Sequence, residues 1–221
     1  MTVLTPHDTA IHIPVWVRDF DTFVTWMHSD EFPDEGRIEF IRGEVLVDLS
    51  LEELFSHNQV KCEITSELGH LVRQEEAGFF VAGGMRFTNA DAELATNPDG
   101  MFVSTETFAA KRVVLRSGAK GHATELRGTP DVVIEIVSES SVDKDTAWLM
   151  SAYHDAGIPE YWVIDARPGK PKLDIHRHGA KGYTAARKSA GWAKSATFDR
   201  SFRLTRAHVA DGLASYALES R

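Results

Sequence analysis

Asp131 and Glu135 sit inside "PDVVIEIV", residues 130–137, a run otherwise built from Pro, Val and Ile. Side chains four residues apart on a strand leave the same face. The two carboxylates therefore point the same way, roughly 13 Å apart at strand rise. That is too far for both to clasp one ion, so each needs a partner from a neighbouring strand. Asp99, in "NPDGMFVS" at the start of the preceding strand, is the best candidate. A carboxylate at a strand end, beside another in the middle of the next strand, can hold one hard divalent cation through oxygen. Glu135 buried ionised and alone would cost several kcal/mol, which a bound metal offsets. Two structural alternatives stay open. Asp131 follows Pro130 and can simply open the strand as a turn residue. Glu135, flanked by Ile134 and Ile136, can instead form an ion pair with an arginine such as Arg86.

The elements that must carry these groups are legible in outline. Val132, Val133, Ile134, Ile136 and Val137 form a short β-rich run, which predicts a strand covered on both faces. "SSVDKDTAWLMSAYHDAG" predicts a helix, with Ser140 or Ser141 as cap, Asp143 and Asp145 in its positive first turn, and Gly157 as its end. "PEYWVIDA" is another strand. Upstream, Val17, Phe20, Val24 and Met27 make a helical stripe. "GRIEFIRGEVLVDLS" reads as strand, tight turn at Arg42 and Gly43, strand, with Glu39 among the apolar residues of the first arm. Residues 51–77 read as a long helix through Val60, Ile64, Leu68, Leu71 and Val72, stopped at Gly78. "FFVAGGMRF" reads as one strand with a glycine bend. "TNADAELATNP" reads as a polar loop, and "DGMFVS" as a short strand. The stretch from "TETFAAKRVV" through "RSGAKGHATELRG" reads as an irregular exposed insertion. "PKLDIHRHG", "KGYTAARKSA" and "SFRLT" form an antiparallel meander, and "RAHVADGLASYAL" a short final helix.

These pieces predict an α/β (α+β) chain with a mixed-sheet core in αβββαβ order, an N-terminal β-hairpin and the C-terminal meander. Residues 1–14 are expected as a loose lead-in and residues 15–221 as one domain, a size that supports a substantial core. No run approaches the roughly 18 apolar residues of a membrane helix, so no membrane partner is expected. The N-terminus lacks a secretory pattern, and Cys62 is the only cysteine. A cytoplasmic location follows as the expectation. A formal net charge of −9 argues against a general affinity for nucleic acid but leaves room for a local basic cleft. Lys and Arg gather in 111–127 and 167–188, where a solvated loop or hairpin is the plain reading.

"TPDVVIEIVSESSVDKD…Y…AGIPEYWVID" resembles the Uma2 family of restriction-endonuclease-like proteins. "RIEFIRGEVL", "SHNQVKCEITSELGHLV" and "NPDGMFVSTETF" resemble its acidic hairpin, His-led helix and first Pro-Asp strand. The similarity runs over roughly residues 15–210. It implies the PD-(D/E)XK nuclease-like fold, an acidic pair that binds Mg²⁺ or Mn²⁺, and a lysine that orients water or stabilises phosphate charge. By that resemblance Asp99 is the first acidic position, Glu135 the second, Glu39 an additional ligand, and Asp131 the second Pro-Asp near the site. DNA is the implied substrate and a homodimer the implied assembly.

The lysine departs from the pattern. Val137 stands two residues after Glu135, and Leu149 stands between Asp145 and Tyr153 where the resemblance places the amine. Lys144 is five positions earlier, about 140° around an α-helix, and reaches the site only if that turn is unwound. Two expectations follow: a metal-dependent endonuclease, weakened by the lost lysine, or a catalytically inactive relative that serves as a binding or self-associating module. Weaker signals are His57 with Lys61 one turn on, which can simply start the long helix, and His176 with His178, which can bind a transition metal or stand exposed on a strand. Tyr161 and Trp162 read as core packing. No Ser-His-Asp order, P-loop or dinucleotide fingerprint occurs.

Overall fold

In the computed structural model, which describes residues 2–3, 11–117, 121–169, 171–210 and 213–221, the chain enters through two short antiparallel strands, β1 (Thr2–Val3) and β2 (Ile11–His12). Residues 1 and 4–10 of the expected lead-in lie outside the described residues. Ile11 and Ile13 are buried in the same apolar cluster as the first helix. That helix, α1 (Phe20–Met27), starts at Asp19. The Asp19 carboxylate accepts from the Thr22 backbone N–H, and the Thr22 hydroxyl accepts from the Asp19 N–H. Its buried side is Phe20, Phe23, Trp26 and Met27; Phe20 and Met27 belong to the expected stripe, while the stripe's other members, Val17 and Val24, are only partly buried against the same cluster. The large rings take the inner positions because they remove the most apolar surface from water.

The turn at Arg42 and Gly43 forms as predicted. Both residues have positive φ, 57° and 80°, as in the two-residue turn whose twist suits a hairpin. It joins β3 (Arg37–Ile41) to β4 (Glu44–Asp48). The expected long helix begins later than predicted, as a π-helical segment, Leu54–Gln59, that runs into α2 (Val60–Gln74). Three sequence expectations then fail. "FFVAGGMRF" is two strands, β5 (Gly78–Ala82) and β6 (Arg86–Asn89), in different sheets. Gly84, at φ 97°, lets the intervening turn carry the chain from one sheet to the other. The supposed polar loop contains β7 (Leu94–Thr96), all three residues buried. After β8 (Gly100–Ser104), the supposed irregular insertion forms α3 (Thr105–Ala109) and a hairpin of β9 (Val113–Ser117) and β10 (Ala123–Gly128); residues 118–120 lie outside the described residues.

β11 (Val132–Ile136) is buried throughout. A π-helical segment, Lys144–Trp148, leads into α4 (Leu149–Asp155), and the chain returns in β12 (Glu160–Asp165), parallel to β11. The meander follows as β13 (Lys172–Arg177), β14 (Thr184–Ala185), β15 (Lys188–Ser189), β16 (Trp192–Lys194) and β17 (Ser201–Ala210). The expected final helix is instead β18 (Leu213–Ser220), paired antiparallel with β17. Ala214, Tyr216 and Leu218 are buried at a period of two, which a strand serves and a helix does not.

Two six-stranded sheets organise the molecule. One runs β4-β3-β7-β6-β10-β9 and the other β14-β13-β12-β11-β8-β5. An apolar layer fed by both sheets and by α4 holds Ile41, Phe87, Met101, Val133, Leu149 and Tyr153. The far side of the first sheet packs with α1. The far side of the second shares a core with α2 and with β16–β18. The order α2, β5, β8, β11, α4, β12 is the expected αβββαβ core, with β6–β7 and α3–β10 inserted into it.

Candidate active site

The register of β8 against β11 decides where Asp99 and Glu135 meet. The two strands are antiparallel, with Phe102 opposite Val132, Met101 opposite Val133 and Gly100 opposite Ile134. One step further along the same register sets Asp99 opposite Glu135. Alternation puts Asp99 on the face of Met101 and Val103, and Glu135 on the face of Val133 and Val137. All four apolar residues belong to the layer between the sheets. Glu39 comes from the other sheet. On β3, Arg37 and Glu39 share a face with Ile41 of that same layer, while Ile38 and Phe40 turn toward α1. Both sheets thus aim acidic groups into one interior, and Glu39, Asp99 and Glu135 are all buried.

Lys144 completes the arrangement, against the sequence expectation. The Leu149 N–H donates to the Lys144 carbonyl, an i→i+5 bond that widens the turn. Residue 144 therefore lies beneath residue 149 instead of well around the helix. Its ammonium stands 3.0 Å from Glu39 Oε2 and 3.6 Å from Asp145 Oδ1. Glu39 Oε1 accepts from the Asn97 N–H at 3.0 Å. Asp145 is buried; its Oδ2 accepts from the Ser141 hydroxyl at 2.5 Å, and its carbonyl from the Tyr161 hydroxyl at 2.8 Å. Leu149 packs in the interior as expected.

Asp99 is the most heavily engaged carboxylate. Oδ2 accepts from the Ile136 N–H at 2.8 Å and lies 3.3 Å from His57 Nε2. Oδ1 lies 3.1 Å from Arg37 Nη2 and 3.4 Å from Lys61 Nζ. Lys61 also binds Glu52 at 2.6 Å. A Cβ on Gly83 would come 2.7 Å from Lys61 Cε, so the bare turn leaves room for the lysine to cross. Arg37, Glu52, His57, Lys61, Asn97 and Ser138 border a cleft of about 860 Å³ that opens this side of the site to solvent. Arg37 carried no signal of its own in the sequence. His57 and Lys61 did, at one helical turn, but equally suited a plain helix start.

Electrostatics separates the acids. Complete burial pushes the Glu135 carboxyl well above its usual range; Lys144 opposes this, while Asp99, Asp145 and Glu39 reinforce it. Its Oε1 accepts from the Tyr153 hydroxyl at 2.6 Å. Burial also raises Asp145, to about 6, against the pull of Lys144 and Ser141. Burial works the same way on Asp99, but the His57 hydrogen bond and the charges of Arg37, His57 and Lys61 outweigh it and hold Asp99 below the usual carboxylate range. Burial disfavours the Lys144 cation, yet Glu39, Glu135 and Asp145 outweigh it and raise the ammonium above its ordinary value. Five carboxylates (Glu39, Glu52, Asp99, Glu135, Asp145) face three fixed cations (Arg37, Lys61, Lys144) and one imidazole. Glu39, Asp99 and Glu135 offer the oxygen donors that a hard divalent cation takes, although they are not a group whose ligand atoms all lie within 4.8 Å of one another. Among the described residues the group that does is Glu52, His57 and Asp99, each offering an atom within 4.8 Å of the others.

The remaining candidates resolve differently. Asp131 accepts from the Ser104 N–H at 2.7 Å, the Thr107 hydroxyl at 2.7 Å and Arg112 at 3.1 Å, tying β11 to the start of α3. Arg86 does not pair with Glu135: it donates to the Met27 carbonyl at 3.0 Å and lies over the Phe32 ring. His178 leaves the strand and stacks on His154, with ring centroids 4.1 Å apart.

The mixed-sheet core is a nuclease-like fold. A crystal structure from Anabaena variabilis ATCC 29413, described as a putative nuclease belonging to DUF820, superposes with a TM-score of 0.60 at 16% identity, over 82% of this chain and 90% of that one. The profile of the Uma2 family, described as "Putative restriction endonuclease", matches residues 20–206, and the chain belongs to that family. No curated protein matches it. Among the described residues, no helix is long and apolar enough to cross a membrane.

Proposed function

We propose that the chain is a metal-dependent endonuclease that hydrolyses DNA phosphodiester bonds. Asp99, Glu135 and Glu39 hold Mg²⁺ or Mn²⁺. When bound, the ion supplies Lewis-acid charge to the phosphate and its attacking water. Lys144, fixed by Glu39 and Asp145, presents an ammonium that orients the water or meets the charge growing on the phosphoryl oxygens. A preorganised cation of that kind is worth about 10²–10³ in rate. Arg37 and Lys61 line the cleft and hold flanking phosphate oxygens, and Tyr153 fixes one oxygen of Glu135. Asp131 supports the strand end rather than the chemistry. A cytoplasmic homodimer would let two such centres cut two strands.

The observation that carries this reading is the meeting of Asp99 and Glu135 across adjacent strands with Lys144 beside Glu39. The widened turn supplies the cation whose apparent loss motivated the non-catalytic alternative. Nicking of supercoiled plasmid in Mg²⁺ or Mn²⁺ tests it. The wild-type chain is expected to nick and Glu135→Ala to be inert; equal activity in the two sinks the assignment.

A further inference from the structure

We propose that Glu52, His57 and Asp99 form a second cation site, selective for an imidazole-accepting divalent ion such as Mn²⁺ over Mg²⁺, with Asp99 shared between it and the centre around Glu135. The inference rests on the reading of Asp99 as a metal-facing carboxylate and extends it toward the cleft. One ligand atom from each of the three residues lies within 4.8 Å of the others. The set is not merely acidic. His57 is a deeply buried imidazole, its side chain 4% exposed, and its Nδ1 has no hydrogen-bond partner. That nitrogen lies 3.6 Å from Glu52 Oε2, beyond hydrogen-bonding reach. Its Nε2 lies 3.3 Å from Asp99 Oδ2. One ring nitrogen thus has no bond to lose on turning to a metal. A mixed nitrogen and oxygen donor set favours Mn²⁺ and later first-row ions over Mg²⁺, which prefers oxygen and water.

Lys61 sets the occupancy of this site. Its ammonium bridges Glu52 at 2.6 Å and Asp99 at 3.4 Å. An incoming ion therefore competes with it. The lysine side chain is 21% exposed and crosses bare Gly83, so it can swing into the cleft and release both carboxylates. Arg37 also reaches both carboxylates, at 3.1 Å from Asp99 Oδ1 and 3.8 Å from Glu52 Oε1, and its closer contact keeps the shared aspartate oriented.

Titration calorimetry of the full chain with Mn²⁺ and with Mg²⁺, joined to pulsed electron paramagnetic resonance of the Mn²⁺-loaded protein, tests the site. His57→Gln and Glu52→Gln are each expected to weaken one Mn²⁺ binding event by about tenfold or more, a loss that even changes around a metal's ligands produce, while Mg²⁺ binding stays within about twofold. Lys61→Met is expected to tighten Mn²⁺ several-fold. Nitrogen-14 modulation from an imidazole is expected in wild type and lost in His57→Gln. Glu135→Gln, which disables the proposed nuclease centre, is expected to keep the His57-dependent event. That separates failure of this site from failure of the nuclease reading. Unchanged Mn²⁺ affinity in Glu52→Gln, unchanged or weaker affinity in Lys61→Met, or wild-type spectra without nitrogen modulation each overturn the proposal, whether or not His57→Gln folds.

Discussion

Glu135 shows what the site costs the fold. Its pKa is raised by burial, so the native state holds its proton more tightly than the unfolded chain does. Stability from such a group is full below the unfolded pKa and is lost as pH rises. Asp145 behaves alike, its share disappearing between about pH 4 and its native value of about 6. Asp99 runs the other way: its depressed pKa gives stability above the unfolded value that is lost in acid. Glu135→Gln should therefore stabilise the fold, and raise its melting temperature, more at pH 8 than at pH 5, with a stability gain on the order of 1–3 kcal/mol at the higher pH, as expected when a buried charge is removed. Thermal unfolding at the two pH values checks this, and a variant less stable than wild type at pH 8 contradicts it. At this scale the sequence was partly legible. An acid between two isoleucines announced itself, as did the Pro-Asp strand start, because burial of a charge needs a reason. Arg37 did not, because an exposed-looking arginine at a strand end has no local signature. It becomes a site residue only through the pairing of two distant sheets.

The π-helical segment at Lys144–Trp148 matters most among the elements. Periodicity could place Leu149 on the apolar face but assumed 3.6 residues per turn, which sent Lys144 away from the site. One extra residue per turn is invisible to a pattern that counts threes and fours. Deleting the exposed Ala147 should restore a regular turn and rotate Lys144 off Glu39. The deletion is expected to lower the nicking rate as far as Lys144→Met does, about 10²–10³, with the circular dichroism spectrum retained. Wild-type activity in the deletion would show that the widened turn is incidental. The other misread elements share a cause. β7, β9 and β18 each pair with the strand next to them in sequence, β6, β10 and β17, so their partners are near; they were missed because strand propensity depends on packing context more than helix propensity does. The hairpin at Arg42 and Gly43 was legible because a two-residue turn sits between two apolar runs, RIEFI and EVLVD.

For the whole molecule, the two sheets are pressed together by an apolar layer that ends in a crowd of like charges. A bound divalent cation should relieve that crowding and so stabilise the native state, by RT ln(1 + [L]/Kd). Millimolar Mg²⁺ should raise the wild-type melting temperature at pH 8 and raise that of Glu135→Gln less; an equal shift in both would place the ion elsewhere. Whether Glu39, Asp99, Glu135 and Lys144 act as one unit is tested most directly by plasmid nicking rates of Glu135→Gln, Lys144→Met and the double variant, measured side by side. Groups acting together are non-additive, so each single change should cost about 10² or more and the double variant should be no slower than the worse single one. Rates that fall independently and multiply in the double variant, or wild-type nicking by Glu135→Gln, would contradict a shared centre.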